Sequence, residues 1–354
     1  MHRADKAVLR LGVGLGLAVL IAYGLALKGA FVVCAGTVLV LCIPGAPIPF
    51  VKGVVMAAVI AVLLVAGVLM VPILQNYRVT GLLLTGALLY AVFFAGARSA
   101  NPLTIFLVFA ITLIPVAGVV DQRLATVLGQ AVGIGLGVGF LVNGVSHALF
   151  PDAPMPGPAA PARASVSPDA ASWSALQATL VVMPVFVLAL TNPALYLAAI
   201  MKTATLGQQA GSTNAQSAGR ELVGSTLMGA LMAMVVWFGL SMQPNLWMLM
   251  LWIVAAALWT GVRLFRVKPT SEPPSFWLNV LITMFILLGP AIEDAAVGKD
   301  VYKASATRVA LFVAVALYAW ATVWAFERWR ASRSGLLSPN AARQDSAGTA
   351  KESR

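Results

Sequence analysis

The forty-one residues between Glu221 and Arg263 contain no Asp, Glu, Lys or Arg, and neither do the thirty-two between Asp169 and Lys202. Charge-free apolar runs near ~20 residues long are what a helix needs to cross the hydrocarbon core of a bilayer. Twelve apolar runs, free or nearly free of charge, follow one another, at 8–27, 30–43, 51–72, 79–97, 102–119 and 124–147, then at 174–190, 193–206, 220–240, 246–264, 274–290 and 306–328. They leave short loops, so no sizeable soluble domain fits on either side of the membrane.

Composition closes off the alternatives. Charged residues make up 10% of the chain, hydrophobic ones 60%, and the mean hydropathy is +0.91. A soluble domain carries about 25% charged residues, so a soluble enzyme is excluded. A transmembrane β-barrel is excluded too, because its strands alternate apolar and polar over roughly 10 residues. The expected fold is all-α, a polytopic integral membrane protein of about 12 transmembrane helices. Near the N-terminus, Arg3, Lys6 and Arg10 precede an apolar stretch from Leu11 to Leu27. That stretch outruns the roughly 7–15 residues of a signal-peptide core, so it reads as an uncleaved first helix.

Proline and alanine crowd the segment from Pro151 to Ser172, which reads as an extended connector. It divides the chain into a first repeat (1–147), a linker (148–172), a second repeat (173–329) and a disordered cytoplasmic tail (330–354). The halves share their punctuation. Each has a tight reversal after its first span (Lys28-Gly29, Asn192-Pro193), a short second span, and a late span with a proline near its exit (Pro115, Pro290). Six spans per repeat would give both copies the same orientation.

The net charge of +11 reflects loop lysines and arginines retained on the cytoplasmic side, not a nucleic-acid partner. With a cytoplasmic start, seventeen of the 23 basic residues fall inside, Lys202 counted among them. Both termini are therefore expected in the cytoplasm. The 14-residue segments 30–43 and 193–206 would extend about 21 Å as helix at 1.5 Å per residue, and a re-entrant course stays open for them. Cys34 and Cys42 read as core thiols.

Chemistry-bearing motifs are scarce. His2 and His147 are the only histidines, and no zinc-protease, nucleophile-elbow or Walker signature occurs, so no catalytic residue, metal or cofactor is expected. Gly129, Gly133, Gly135 and Gly139 lie inside an apolar span without a preceding strand, which makes them packing positions where helices approach closely. The uncharged polar residues at membrane depth are Gln130, Asn143, Gln177, Thr179, Thr260, Asn279 and Thr283. They either bond neighbouring helices or together line a weakly polar path.

The run from Gly219 to Ala230 opens on an Arg220-Glu221 pair and continues with Gly224, Ser225, Thr226 and Gly229. This run resembles the fusaric acid resistance protein-like (FUSC) efflux family, in which an Arg precedes Gly-Thr and a further Gly at helical spacing. Arg10-Leu11-Gly12 leading into a short second span is similar to that family as well. A Ser separates Gly224 from Thr226 here, the first half offers only Lys52-Gly53 at the corresponding place, and the large cytoplasmic domain of the aromatic acid exporters is absent. The resemblance implies export of small amphipathic, aromatic carboxylic acids across a bacterial inner membrane, with a periplasmic adaptor protein as partner. The substrate-binding set expected on this reading is Arg220, Glu221, Thr226, Gln130 and Asn279, with Gly224 and Gly229 added to the packing positions. A non-transporting membrane scaffold or assembly subunit is the alternative.

Overall fold

The computed structural model describes residues 2–43, 49–99, 104–152, 167–210 and 215–337, and among these every regular element is a helix. The first half contains α1 (Arg3–Gly24), α2 (Ala30–Leu41), α3 (Phe50–Ala66), α4 (Met70–Asn76), α5 (Arg78–Ser99), α6 (Thr104–Ile111), α7 (Leu113–Val120) and α8 (Gln122–Leu149). The second contains α9 (Pro168–Thr191), α10 (Pro193–Ala210), α11 (Ala215–Ala218), α12 (Ser225–Met242), α13 (Leu246–Leu264), α14 (Pro274–Ala296) and α15 (Val301–Leu337). A 3₁₀ turn, Gly67–Leu69, joins α3 to α4, and a π-helical turn, Gly219–Gly224, joins α11 to α12. Nine helical stretches among the described residues are long and apolar enough to cross a membrane.

Every apolar run named above is helical, with adjusted limits. Segment 102–119 is broken at Thr112, because Pro115 has no N–H to bond the Ile111 carbonyl. α10 runs on to Ala210, beyond the expected 206, and spans about 27 Å at 1.5 Å per residue; α2 has 12 residues and spans about 18 Å. The last helix continues to Leu337, past the expected start of the tail, and the remainder of the tail lies outside the described residues. So does 153–166, the centre of the Pro/Ala-rich connector. At the first reversal Gly29 adopts φ +69°, a conformation open to glycine without a Cβ penalty.

Close contacts fix how the helices run. A Cβ at Gly12 would meet Leu258, at Gly16 Val254, and at Gly24 Leu246, so α1 and α13 are antiparallel. Gly29 faces Ala131, Gly36 faces Gly135, and Val40 faces Gly139, so α2 and α8 run in the same direction. Gly53 with Phe140 and Gly133 with Ala61 make α3 antiparallel to α8. Arg78 and Leu82 share a cleft with Val187 and Leu190, which sets the start of α5 beside the end of α9. We call the end where α1 begins proximal and the opposite end distal.

The proximal end gathers several tethers. The Arg10 guanidinium donates two hydrogen bonds to the Asp152 carboxylate, 2.9 and 3.1 Å, and Lys6 Nζ donates to the Pro151 carbonyl at 2.6 Å. α1 therefore begins where α8 ends. In the second half, the Trp173 ring lies 5.4 Å from Phe326 and 5.8 Å from Trp329, so α9 begins where α15 ends. Arg263 stacks 3.8 Å over Trp259, adding to a belt of aromatic and basic side chains suited to a membrane interface.

The packing pairs across the halves are reciprocal. α1 packs on α13 as α9 packs on α5, and α2 packs on α14 as α10 packs on α6 and α7. The interior is apolar and tight at the small residues. A Cβ on Gly135 would lie 2.8 Å from Val33 Cα, and one on Gly229 2.6 Å from Thr283 Cβ. Large apolar side chains such as Val62, Leu83, Phe238 and Met242 are exposed on the outside of the bundle, where a lipid environment would receive them at no hydrophobic cost.

Candidate functional site

α10 is cut from a stretch in which Lys202 is the only charged residue between Asp169 and Arg220. Its first turns are apolar, and Lys202, Thr203, Thr205 and Gln209 among its polar residues are buried. Three of its neighbours are α9, α14 and α15. Lys202 is tenth of the 18 residues in this helix and has 0% exposure. Counted from the sequence with the cytoplasmic cations, Lys202 instead lies at mid-helix, its side chain enclosed in the protein core.

The partners of Lys202 come from α14. Its Nζ donates to Asn279 Oδ1 at 3.0 Å and to Thr283 Oγ1 at 2.7 Å. Asn279 and Thr283 are one turn apart on the same face of α14, and the Thr283 hydroxyl donates back to the Asn279 carbonyl at 2.6 Å. Asn279 Nδ2 in turn donates to Ser225 Oγ at the start of α12. The cluster thus ties α10, α14 and α12 together through side chains, and no carboxylate belongs to it. Asn279 is 4% exposed, and Thr283 and Ser225 are 0% exposed.

The cluster has two distinct surroundings. Toward the halves' shared seam, Met201 and Thr205 of α10 face Ala35, Gly36 and Leu39 of α2 across a void of about 20 Å³. A water needs about 10–15 Å³ by this measure, so the seam has room for roughly one. Toward the distal end, the α14 face that carries Asn279 and Thr283 continues to Leu287 and Ala291. There a cavity of about 570 Å³ opens between α12, α14 and α15. Its walls are apolar apart from Tyr302, Ser305 and the Trp237 indole, whose Nε1 is buried without a hydrogen-bond partner among the described residues.

The residues singled out from the sequence are distributed unevenly over this arrangement. Asn279 is a direct partner of Lys202. Thr226 is fully buried beside Ser225, but its hydroxyl donates to the Leu222 carbonyl at 2.7 Å, a bond within its own helix. Arg220 is apart from the cluster, with its side chain 63% exposed and its Nε 3.1 Å from Glu272 Oε1. Glu221 sits in the same π-helical turn, half-buried. Gln130 is exposed on the outside of α8, so its grouping with a polar path is corrected. The turn of α8 places it opposite the face that meets α2.

The other polar candidates serve local bonds. Gln177 donates to the Ala210 carbonyl at 2.8 Å, and Thr179 and Thr260 bond carbonyls one turn back. The Asn143 carbonyl lies 2.9 Å from His147 Nδ1. Among the glycines, Gly133, Gly135, Gly139 and Gly229 stand at close approaches of 2.6–3.0 Å, Gly224 would meet Phe276 at 3.3 Å, and Gly129 meets only ordinary contacts at 3.8 Å. Among the described residues no group of three or more His, Cys, Asp or Glu could hold a metal.

Lys202 and Ser225 escaped the sequence reading for different reasons. A lone lysine with 32 uncharged residues before it and 17 after it is a visible signal, but it was counted with the cytoplasmic cations. Ser225 carried no signal beyond its place between Gly224 and Thr226. What the assembled site can do is offer a buried hydrogen-bond donor, with no acidic partner, to an acceptor that reaches it. No family model, no curated protein and no solved structure matches this chain.

Proposed function

We propose that the chain is an inner-membrane permease that exports small amphipathic carboxylates, with Lys202 as the group that receives the anion. The observation that carries this reading is a fully buried lysine whose partners are all uncharged. Burying an ammonium costs several kcal/mol, and such groups inside membranes pair with one another or mark substrate and ion pathways. Lys202 has no such pair, which leaves a place for an anion. A cavity of about 570 Å³ further along α14, at Leu287 and Ala291, falls in the size range of small-molecule sites, roughly 300–1,000 Å³, and would take an aromatic or aliphatic body.

On this reading the bundle has twelve crossings built as two parallel six-helix repeats, and both termini are cytoplasmic. The reciprocal packing of α1–α13 with α9–α5 supports the repeat, as does the shared proximal start of α1 and α9. The charge count along the sequence supports the orientation, with sixteen basic residues assigned to the cytoplasmic side once Lys202 is withdrawn. The Arg220 to Ala230 run remains the basis for allying the chain with FUSC-type exporters.

The test is efflux of labelled benzoate from proteoliposomes that contain the purified chain. Wild type should accelerate efflux over empty liposomes, and Lys202→Met at equal protein content should not. Equal rates for the two proteins would remove Lys202 from transport. The narrow seam, with room for about one water, favours a second reading, a non-transporting scaffold. Efflux indistinguishable from empty liposomes for the wild type would select it.

A further inference from the structure

The hydrogen bonds around Lys202 specify a protonation state. An ammonium group has three N–H donors, whereas a neutral amine has two donors and one lone pair. Two acceptors meet Nζ, Asn279 Oδ1 and Thr283 Oγ1. Both are fixed as acceptors, because Thr283 commits its own hydrogen to the Asn279 carbonyl and Asn279 directs its amide hydrogens to Ser225. The pocket therefore pairs both N–H donors of an amine and leaves only its lone pair, whereas an ammonium would keep a third donor unpartnered together with its charge.

No neighbouring charge compensates for an ammonium. Of the elements packed on α10, α6 and α7 carry no ionisable side chain, and α9 carries only Asp169, in its first turn. α14 has Glu293 and Asp294, ten and eleven residues beyond Thr283 and so about 15 Å or more along the helix. The π-helical turn has Arg220, paired with Glu272, and Glu221. α15 keeps its charges near its two ends, and Tyr318 between them donates to the Leu180 carbonyl. None of these forms an ion pair with Lys202 among the described residues.

We propose that Lys202 rests as a neutral amine and takes up one proton with each carboxylate it binds. The amine lone pair accepts a proton from water or buffer acid, and the new N–H donates to the arriving carboxylate, which supplies the missing third acceptor. Charge balances at the site: one proton and one anion enter together, so the cargo crosses as the equivalent of its neutral acid. This rests on Lys202 being the anion-binding group proposed above. It adds that proton and anion affinities are linked, each raising the other by the same factor.

The experiment is calorimetric titration of the full chain in lipid nanodiscs with sodium benzoate, in phosphate and in Tris, between pH 7 and pH 9. The buffer dependence of the heat counts protons. The expected result is one proton taken up per benzoate bound and a Kd that rises about tenfold per pH unit, as a one-proton linkage requires. Lys202→Arg, which stays charged throughout this range, should bind without proton uptake and with a pH-independent Kd. If that variant fails to fold, the wild-type proton count decides alone. Binding to wild type with no proton uptake and a flat Kd would overturn the linkage while leaving the export reading intact. No benzoate binding to wild type at millimolar concentration would overturn both.

Discussion

Replacing Lys202 and Asn279 singly and together measures how strongly the buried cluster is coupled. Lys202→Met keeps the length and most of the volume of the side chain, so little cavity forms. It strips Asn279 Oδ1 of the donor at 3.0 Å, and the site is closed to water. A buried acceptor left unpaired costs about 1–3 kcal/mol. Thr283 loses less, because its hydroxyl keeps the bond to the Asn279 carbonyl at 2.6 Å. Asn279→Leu costs a similar amount from the other side, leaving Nζ with one acceptor. The double variant removes donor and acceptor together and replaces them with apolar groups of like size, so it should lie within about 1 kcal/mol of wild type. The expected coupling energy is about 1–3 kcal/mol. Interhelical hydrogen bonds in membrane proteins average about 0.6 kcal/mol, because partners can be found elsewhere. Here the coupling should exceed that average, since neither group has a substitute. Unfolding in mixed micelles by SDS titration, followed by tryptophan fluorescence, gives the four free energies. Additive effects of the two substitutions would show that the cluster is not a unit and would undo the reasoning.

Two glycines of α8 should respond oppositely to alanine. Gly135→Ala forces a Cβ against the Val33 backbone at 2.8 Å and should cost about 1–3 kcal/mol in the same unfolding assay. Gly137→Ala meets nothing within 4 Å and should be neutral or stabilising by up to about 1 kcal/mol through helix propensity. At the proximal tether, burial pushes the Asp152 carboxyl up, but the Arg10 hydrogen bonds and charge outweigh this and hold it below its ordinary value of 3.8. Its stabilising contribution is therefore complete above that value and lost as pH falls through the lowered one. Asp152→Asn should cost about 1–3 kcal/mol at neutral pH, with the cost shrinking as pH falls through the lowered value, read from unfolding over a series of pH values below 7. Arg220→Lys should leave benzoate efflux within twofold of wild type, because the guanidinium is exposed and engaged by Glu272. A tenfold loss at normal abundance would restore Arg220 as an anion ligand. A periplasm-dependent reporter fused after Arg330 should stay silent, and a strong signal would reverse the proposed orientation.

The extent of the fold was legible because its determinants are local. Charge-free length announced each helix, and Pro115 and Gly29 announced a break and a reversal. The packing roles of Gly135 and Gly139 could be read as small-residue spacing, though which helix they meet could not. The site was harder. Asn279 was noticed as a polar side chain at depth, but its partner Lys202, inside the apolar run 193–206, was counted by default toward the cytoplasmic side. Burial of a charge depends on what packs around its helix, and α10 is enclosed by neighbours that include α9, α14 and α15. Gln130 failed for a related reason: a helix position becomes interior or exterior only through the neighbour it faces, and α2 covers the other side of α8.

The void of about 20 Å³ on the seam between α2 and α10 bears on the energy economy of a cell that carries this protein. A continuous file of water would let protons or small ions run down their gradients, and a passage with room for about one molecule interrupts that file. On the export reading proposed above, such a seam would hold ions back in this conformation. A cell could then keep many copies idle in its membrane without short-circuiting the gradient that other machinery maintains. Leak would be confined to the moments when the seam opens.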